Sequence, residues 1–177
     1  MTRRRAVSLD EFADDFAGRL AALANVHSAV FQADGEAVEL SSVVELTFSP
    51  YRVKDTDRLV FTGPTVLLRQ DAATTLALCL HELATNALKY GALSTPEGRV
   101  SLQWSTSHEA DLLSLEWVES GGPPVSEPSR SGYGTRYIRS ALSSLFSTPP
   151  LILFHPQGLR CSVSGPLSHL SSRQPEA

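Results

Sequence analysis

Apolar and polar positions along this chain follow two periods, and the longest regular stretch is Leu76–Leu93, L-A-L-C-L-H-E-L-A-T-N-A-L-K-Y-G-A-L. At 3.6 residues per turn it places Leu76, Leu80, Leu83 and Ala87 on one stripe, and gathers Glu82, Thr85, Asn86 and Lys89 on another. One face packs; the other is left for binding or chemistry. Asp71 is placed as an N-cap, Lys89 stands in the last turn where the helix dipole favours a cation, and Gly91 follows as a stop, which predicts a helix of roughly twenty residues.

An earlier helix opens at Ser8-Leu9-Asp10-Glu11, which has the form of a capping box, with Val7 and Phe12 as its staple. Phe12, Phe16, Leu20, Leu23 and Val30, with Ala13 and Ala24, make its apolar stripe, and Asp34-Gly35 ends it. That stripe needs a cover, either the domain that follows or a second copy of the same helix. His27 lies close to it, and a packed histidine is the ordinary reading there. Residues 38–50 fit a short helix (Leu40, Val43, Val44, Leu46) as well as a strand, and Pro50 ends either one.

Period two then takes over. Leu59–Phe61 and Val66–Leu68, separated by Gly63-Pro64, read as two short strands before the central helix. After that helix, Val100, Leu102 and Trp104 alternate on one strand and Leu113, Leu115 and Trp117 on the next. Gly132-Tyr133-Gly134-Thr135 opens a further helix through Leu142, Leu145 and Phe146. Leu151–Phe154 and Leu159–Val163 flank H-P-Q-G, a good turn, and so form a terminal hairpin. The reading after Pro166 is a polar, frayed tail.

Composition narrows the classes. With 177 residues and 42% hydrophobic content, the chain can bury a core. A net charge of -4 argues against nucleic acid or an anionic membrane as partner. No apolar run has the length of a membrane span and Met1–Ser8 lacks the apolar segment of a signal peptide, so the expected location is cytoplasmic. Cys79 and Cys161 are isolated in apolar patterns, as buried free thiols would be.

Glu82 and Asn86 lie one turn apart, with Lys89 three residues on. An amide oxygen is a hard ligand for Mg²⁺, a carboxylate can orient water or take a proton, and a lysine offsets phosphate charge, so the set suits a metal-nucleotide. Taken alone, E-x-x-x-N is most often a solvated helix face. Glu116–Val125 ends a strand on Glu119 followed by Gly121-Gly122. Such a carboxylate can accept from an exocyclic amine while glycine lets backbone approach a flat ligand, although an ordinary turn has the same appearance. Pro123–Ser131 has no periodicity and reads as a loop over a site. Glycines at a helix start free N–H groups for phosphate, but there is no third glycine at Tyr137 and no P-loop pattern. A zinc hydrolase reading of His81-Glu82 fails because Thr85 stands where the second histidine is required.

Taken together and in order, His81–Ser94, Trp117-Val118-Glu119, Gly121–Pro124 and Gly132–Thr135 resemble the ATP-binding domain of HWE-type sensor histidine kinases, within the GHKL ATPase superfamily. The likeness runs from about Phe12 to Pro166. It implies an α/β two-layer sandwich with a mixed sheet, and Mg·ATP held between sheet, lid and the two glycine segments. By position it implies Asn86 on Mg²⁺, Glu82 near the γ-phosphate, Lys89 and Tyr90 on the phosphate and sugar side, Glu119 at adenine and Gly121 beside the base. Gly132, Gly134 and Thr135 would line the phosphates, and His81 either orients Glu82 or is structural.

The family's H-R-x-K-N-like acceptor motif does not occur here, so the expected organisation is a remnant of the phosphotransfer hairpin at 1–35, a catalytic domain at 36–166 and a disordered tail at 167–177. Expected partners are a phosphoacceptor helix or domain, a response regulator, and a second copy through the N-terminal helix. The rival function is a non-catalytic nucleotide-binding module that docks on a response regulator.

Overall fold

The computed structural model describes residues 17, 18, 20, 24, 37–52, 57–126 and 132–172. The capping box at Ser8–Glu11, most of the helix it opens, and His27 lie outside the described residues, as do residues 127–131 of the glycine-flanked loop.

The ambiguous segment resolves into both alternatives. Val38–Glu39 is a short strand, β1, and Leu40–Phe48 a helix, α1. Leu40, Val43, Val44, Thr47 and Phe48 are the buried positions of α1, the i, i+3, i+4, i+7, i+8 set of one helical stripe. Thr47 can occupy that stripe because its hydroxyl donates to the Val43 carbonyl at 2.7 Å. A single 3₁₀ turn over Ser49–Tyr51, with Pro50 at its start, closes the helix.

β2 (Leu59–Thr62) and β3 (Leu67–Leu68) do not pair with each other: β2 runs parallel to β4 (Arg99–Ser107), whereas β3 pairs antiparallel with β1. β5 (Leu112–Ser120), β6 (Leu151–His155) and β7 (Gly158–Pro166) complete a five-stranded mixed sheet in the order β2-β4-β5-β7-β6. Helices α2 (Gln70–Lys89) and α3 (Tyr133–Phe146) lie against each other on one face, and α1 packs on α2. The result is the expected two-layer sandwich with a mixed sheet.

The long central helix is buried on a broad arc, with Ala73, Ala77, Ala84 and Ala87 allowing close approach and Leu76, Leu80 and Leu83 filling the space beneath. Under α1, Phe48 stacks on Trp117 with centroids 5.7 Å apart and leans on Phe61 at 4.7 Å. Cys79 and Cys161 are free and buried, and burial pushes their thiols up to about 12 and about 11.

Two expectations need correction. Asp71 is not the N-cap of α2: Arg69 is, in extended conformation, its carbonyl accepting the Ala73 N–H at 2.9 Å. Asp71 instead sits in the first turn, where its carboxylate accepts from the Arg69 guanidinium at 2.8 and 3.1 Å and meets the positive end of the dipole. Nor does the chain fray over the described residues 167–172 that follow Pro166. Leu167–Leu170 forms a short helix, α4, with Leu167 and Leu170 buried, and Ser171 bridges to Leu68. Its anchor is Asp111, whose carbonyl accepts the Leu167 N–H and whose carboxylate accepts the Ser168 N–H at 2.8 Å.

Candidate functional site

Glu82 and Asn86 in the C-terminal half of α2 and Tyr90 at its C-cap follow one another at four-residue intervals. Opposite them lies the N-terminus of α3, with Gly132 as N-cap and Gly134 and Thr135 in the first turn. Early N–H groups of a helix lack intrahelical acceptors, so this end of α3 offers donors and positive potential. Between the two helices and the far end of β5 is a cavity of about 370 Å³, on whose walls stand Asn86, Tyr90, Glu119, Gly132, Gly134 and Thr135. Leu83, Ile138, Ile152, Phe154 and Leu159 supply its apolar floor, drawn from the two helices and the terminal hairpin. An apolar slot with a few convergent polar groups is what a flat heterocycle bearing a charged tail requires.

Glu119 is the most constrained of these groups. Its side chain is only 3% exposed, yet both oxygens are paired. Oε1 accepts the Trp117 indole N–H at 3.1 Å and Oε2 accepts the Ala92 backbone N–H at 2.9 Å. Trp117 and Glu119 share a face of β5 because they are two residues apart. Burial pushes the Glu119 carboxyl above the usual glutamate range, and the Ala92 amide and Trp117 indole pull it partly back. Each carboxylate oxygen retains acceptor capacity for a ligand amine.

Glu82 does not line the cavity wall itself but lies beside it. A Cβ added at Gly134 would sit 2.5 Å from Glu82 Oε2 and 3.8 Å from Asn86 Nδ2, so the first turn of α3 rests against both side chains. His81 is placed elsewhere. Its Nδ1 and the Tyr51 hydroxyl are hydrogen-bonded at 2.8 Å, and the backbone of Gly18 approaches so closely that a Cβ there would be 3.2 Å from Nε2. Tyr51 is held above its ordinary pKa by burial, an effect that its hydrogen bond to Thr85 reduces and the nearby Glu82 charge increases.

Lys89 and Gly121 are not among the cavity-lining residues. Lys89 is exposed in the last turn of α2. Gly121 takes φ +70°, and the close approach it permits is to the Glu97 carbonyl, 2.8 Å from where its Cβ would be. The sequence reading missed Gly91, taken there only as a helix stop. Gly91 lines the cavity in extended conformation, and a Cβ on it would lie 2.0 Å from Glu119 Oε2. The signal was available only in part, since the glycine was visible but its neighbour across the fold was not.

A family model described as HWE histidine kinase matches residues 1–65. Blue-light-activated histidine kinase 1 of Erythrobacter litoralis (strain HTCC2594) is 41% identical over 150 residues, covering 82% of this chain and 41% of the relative. The chain therefore spans about two fifths of that relative's length. Among solved structures, the histidine kinase domain of a blue-light-activated histidine kinase from Erythrobacter litoralis superposes with a TM-score of 0.69 at 18% identity, covering 86% of this chain and 74% of that one. The catalytic domain of histidine kinase ThkA gives 0.53 at 14% identity, over 73% of this chain and 94% of that domain. The shared fold agrees with the helix–sheet arrangement derived above, and over residues 1–65 the chain matches the HWE histidine kinase family.

Proposed function

We propose that this chain binds Mg·ATP in the cavity between α2, α3 and the end of β5 and transfers the γ-phosphate to a histidine of a phosphoacceptor helix or domain. The observation that carries the reading is that a buried, doubly hydrogen-bonded carboxylate, Glu119, and a helix N-terminus line the same apolar-floored cavity. In this reading the adenine amine donates to Glu119, the purine lies on Ile152, Phe154 and Leu159, and the phosphates run toward the first-turn amides of α3.

Asn86 is the candidate Mg²⁺ ligand through its amide oxygen. Among the described residues no three His, Cys, Asp or Glu side chains cluster as a metal cage. That suits Mg²⁺, which keeps waters and is commonly shared between one or two protein oxygens and substrate phosphates. The metal's part is to neutralise phosphate charge. The chain's own part is placement: Glu82, packed against the Gly134 backbone, positions groups at the phosphate end, and Lys89 adds positive charge from the exposed rim.

His81, bonded to Tyr51 and set against Gly18, fits a positioning role on α2. A response regulator as downstream partner, a homodimer through the N-terminal helix and a cytoplasmic location belong to the same proposal. No described helix is long and apolar enough to cross a membrane. The family match favours the kinase over a purely regulatory nucleotide module.

The test is incubation with γ-labelled ATP and Mg²⁺ beside a fragment carrying an acceptor histidine. Acid-labile label on that fragment is expected. Binding of ATP without any transfer would contradict the kinase reading and leave the nucleotide site standing.

A further inference from the structure

Arg58, half-buried just before β2, gathers one loop by three of its carbonyls. Its Nε donates to the Gly98 carbonyl at 2.9 Å, and its Nη2 donates to the Leu93 carbonyl at 3.2 Å and to that of Thr95. Its own carbonyl accepts the Val100 N–H at 2.8 Å, which fixes Arg58 to the start of β4. All three acceptors lie on the connection from α2 to β4. The same connection carries Gly91 on the cavity wall and Ala92, whose N–H holds Glu119 Oε2.

The loop is folded tightly enough that a Cβ at Gly98 would lie 1.6 Å from the Ala92 carbonyl oxygen, and Thr95 Oγ1 ties its far side to the Gly121 carbonyl at 3.0 Å. Carbonyls turned inward in such a loop require donors, and a guanidinium is the side chain that can satisfy several at fixed angles from one position. Arg58 thus stands behind the wall that faces the ligand, and its charge is spent on that wall.

We propose that Arg58 is a positioning residue for base selection: it fastens the 91–98 connection so that the Ala92 N–H holds the Glu119 carboxylate in the one orientation that accepts an exocyclic amine. This rests on the nucleotide reading above. The ligand discrimination follows from chemistry, since adenine presents an amine where guanine presents a carbonyl oxygen, and only the former can donate to a fixed carboxylate. A loosened Glu119 would lose that difference and leave phosphate contacts on α3 in place.

The experiment measures Mg·ATP and Mg·GTP affinities, together with the unfolding midpoint, for the whole chain and for Arg58→Met and Arg58→Lys. Wild type is expected to prefer ATP. Arg58→Met is expected to lose about tenfold in ATP affinity, equivalent to ~1.4 kcal/mol, with GTP affinity little changed, so that the ratio contracts. Arg58→Lys, which keeps a donor but not the planar fork, should fall between, and it carries the comparison if the methionine variant does not fold. An ATP-to-GTP ratio equal to wild type in both variants overturns the inference, whether affinities are unchanged or fall in parallel with the unfolding midpoint. Failure of wild type to bind either nucleotide would remove the site reading itself, which separates the two failures.

Discussion

At the scale of single residues, Glu119 has the strongest dependence on its surroundings. Burial raises its pKa and two donated hydrogen bonds oppose that rise. For the free fold, a carboxyl whose folded pKa exceeds its unfolded one adds stability that is complete below the unfolded value and is lost as pH rises through the folded value. For ligand binding the sign is opposite, because the ionised form is the acceptor. ATP affinity should therefore weaken as pH falls through the raised pKa. Trp117→Phe removes one of the hydrogen bonds that hold the pKa down, so the weakening should begin at higher pH than in wild type. Parallel calorimetric titrations of the two proteins across the mildly acidic range read this directly, since titration of the nucleotide's own phosphate is common to both. Coincident profiles would mean that the indole bond does not tune the carboxylate. The acidic residue after Trp117-Val118 was legible in the sequence. Its partners Ala92 and Gly91 were not, because a backbone amide has no residue signature and the contact joins segments far apart along the chain.

At the scale of elements, long regular patterns were readable and short ones were not. The stripe read from spacing in α2, Leu76, Leu80, Leu83 and Ala87, is buried throughout, while the full buried arc is broader and takes in Cys79 and Glu82 as well. The alternations in β4 and β5 likewise fall on the buried face. By contrast, the Val38–Phe48 segment changes from strand to helix after two residues, which no single period describes. α4 was missed because four residues are too few for a helical pattern, and its two leucines sit among serines and a histidine. Its contribution is nevertheless that of core: Leu170 is fully buried, and its carbonyl accepts the Arg69 N–H at the start of α2. Leu170→Ala should cost roughly 2–5 kcal/mol, the range for deleting a buried leucine, measurable by denaturant unfolding. A change within experimental error would mean that the terminal turn is not part of the cooperative unit.

For the whole molecule, the arrangement of layers determines where the ligand can go. The sheet and helices together leave an apolar slot at the ends of α2 and β5, with glycines where backbone presses on carboxylates, at Gly91 against Glu119 and at Gly134 against Glu82. Fold class was legible because alternating strand and helix patterns allow few packings. The location of the cavity followed only when the terminal hairpin was seen to close its floor. Isothermal titration with Mg·ATP of the chain and of Asn86→Ala examines the central claim, that α2 and α3 face each other across a metal-nucleotide site. Saturable binding to wild type, weakened roughly tenfold or more in the variant, is the predicted result. Equal binding to both, or binding to neither, would contradict it.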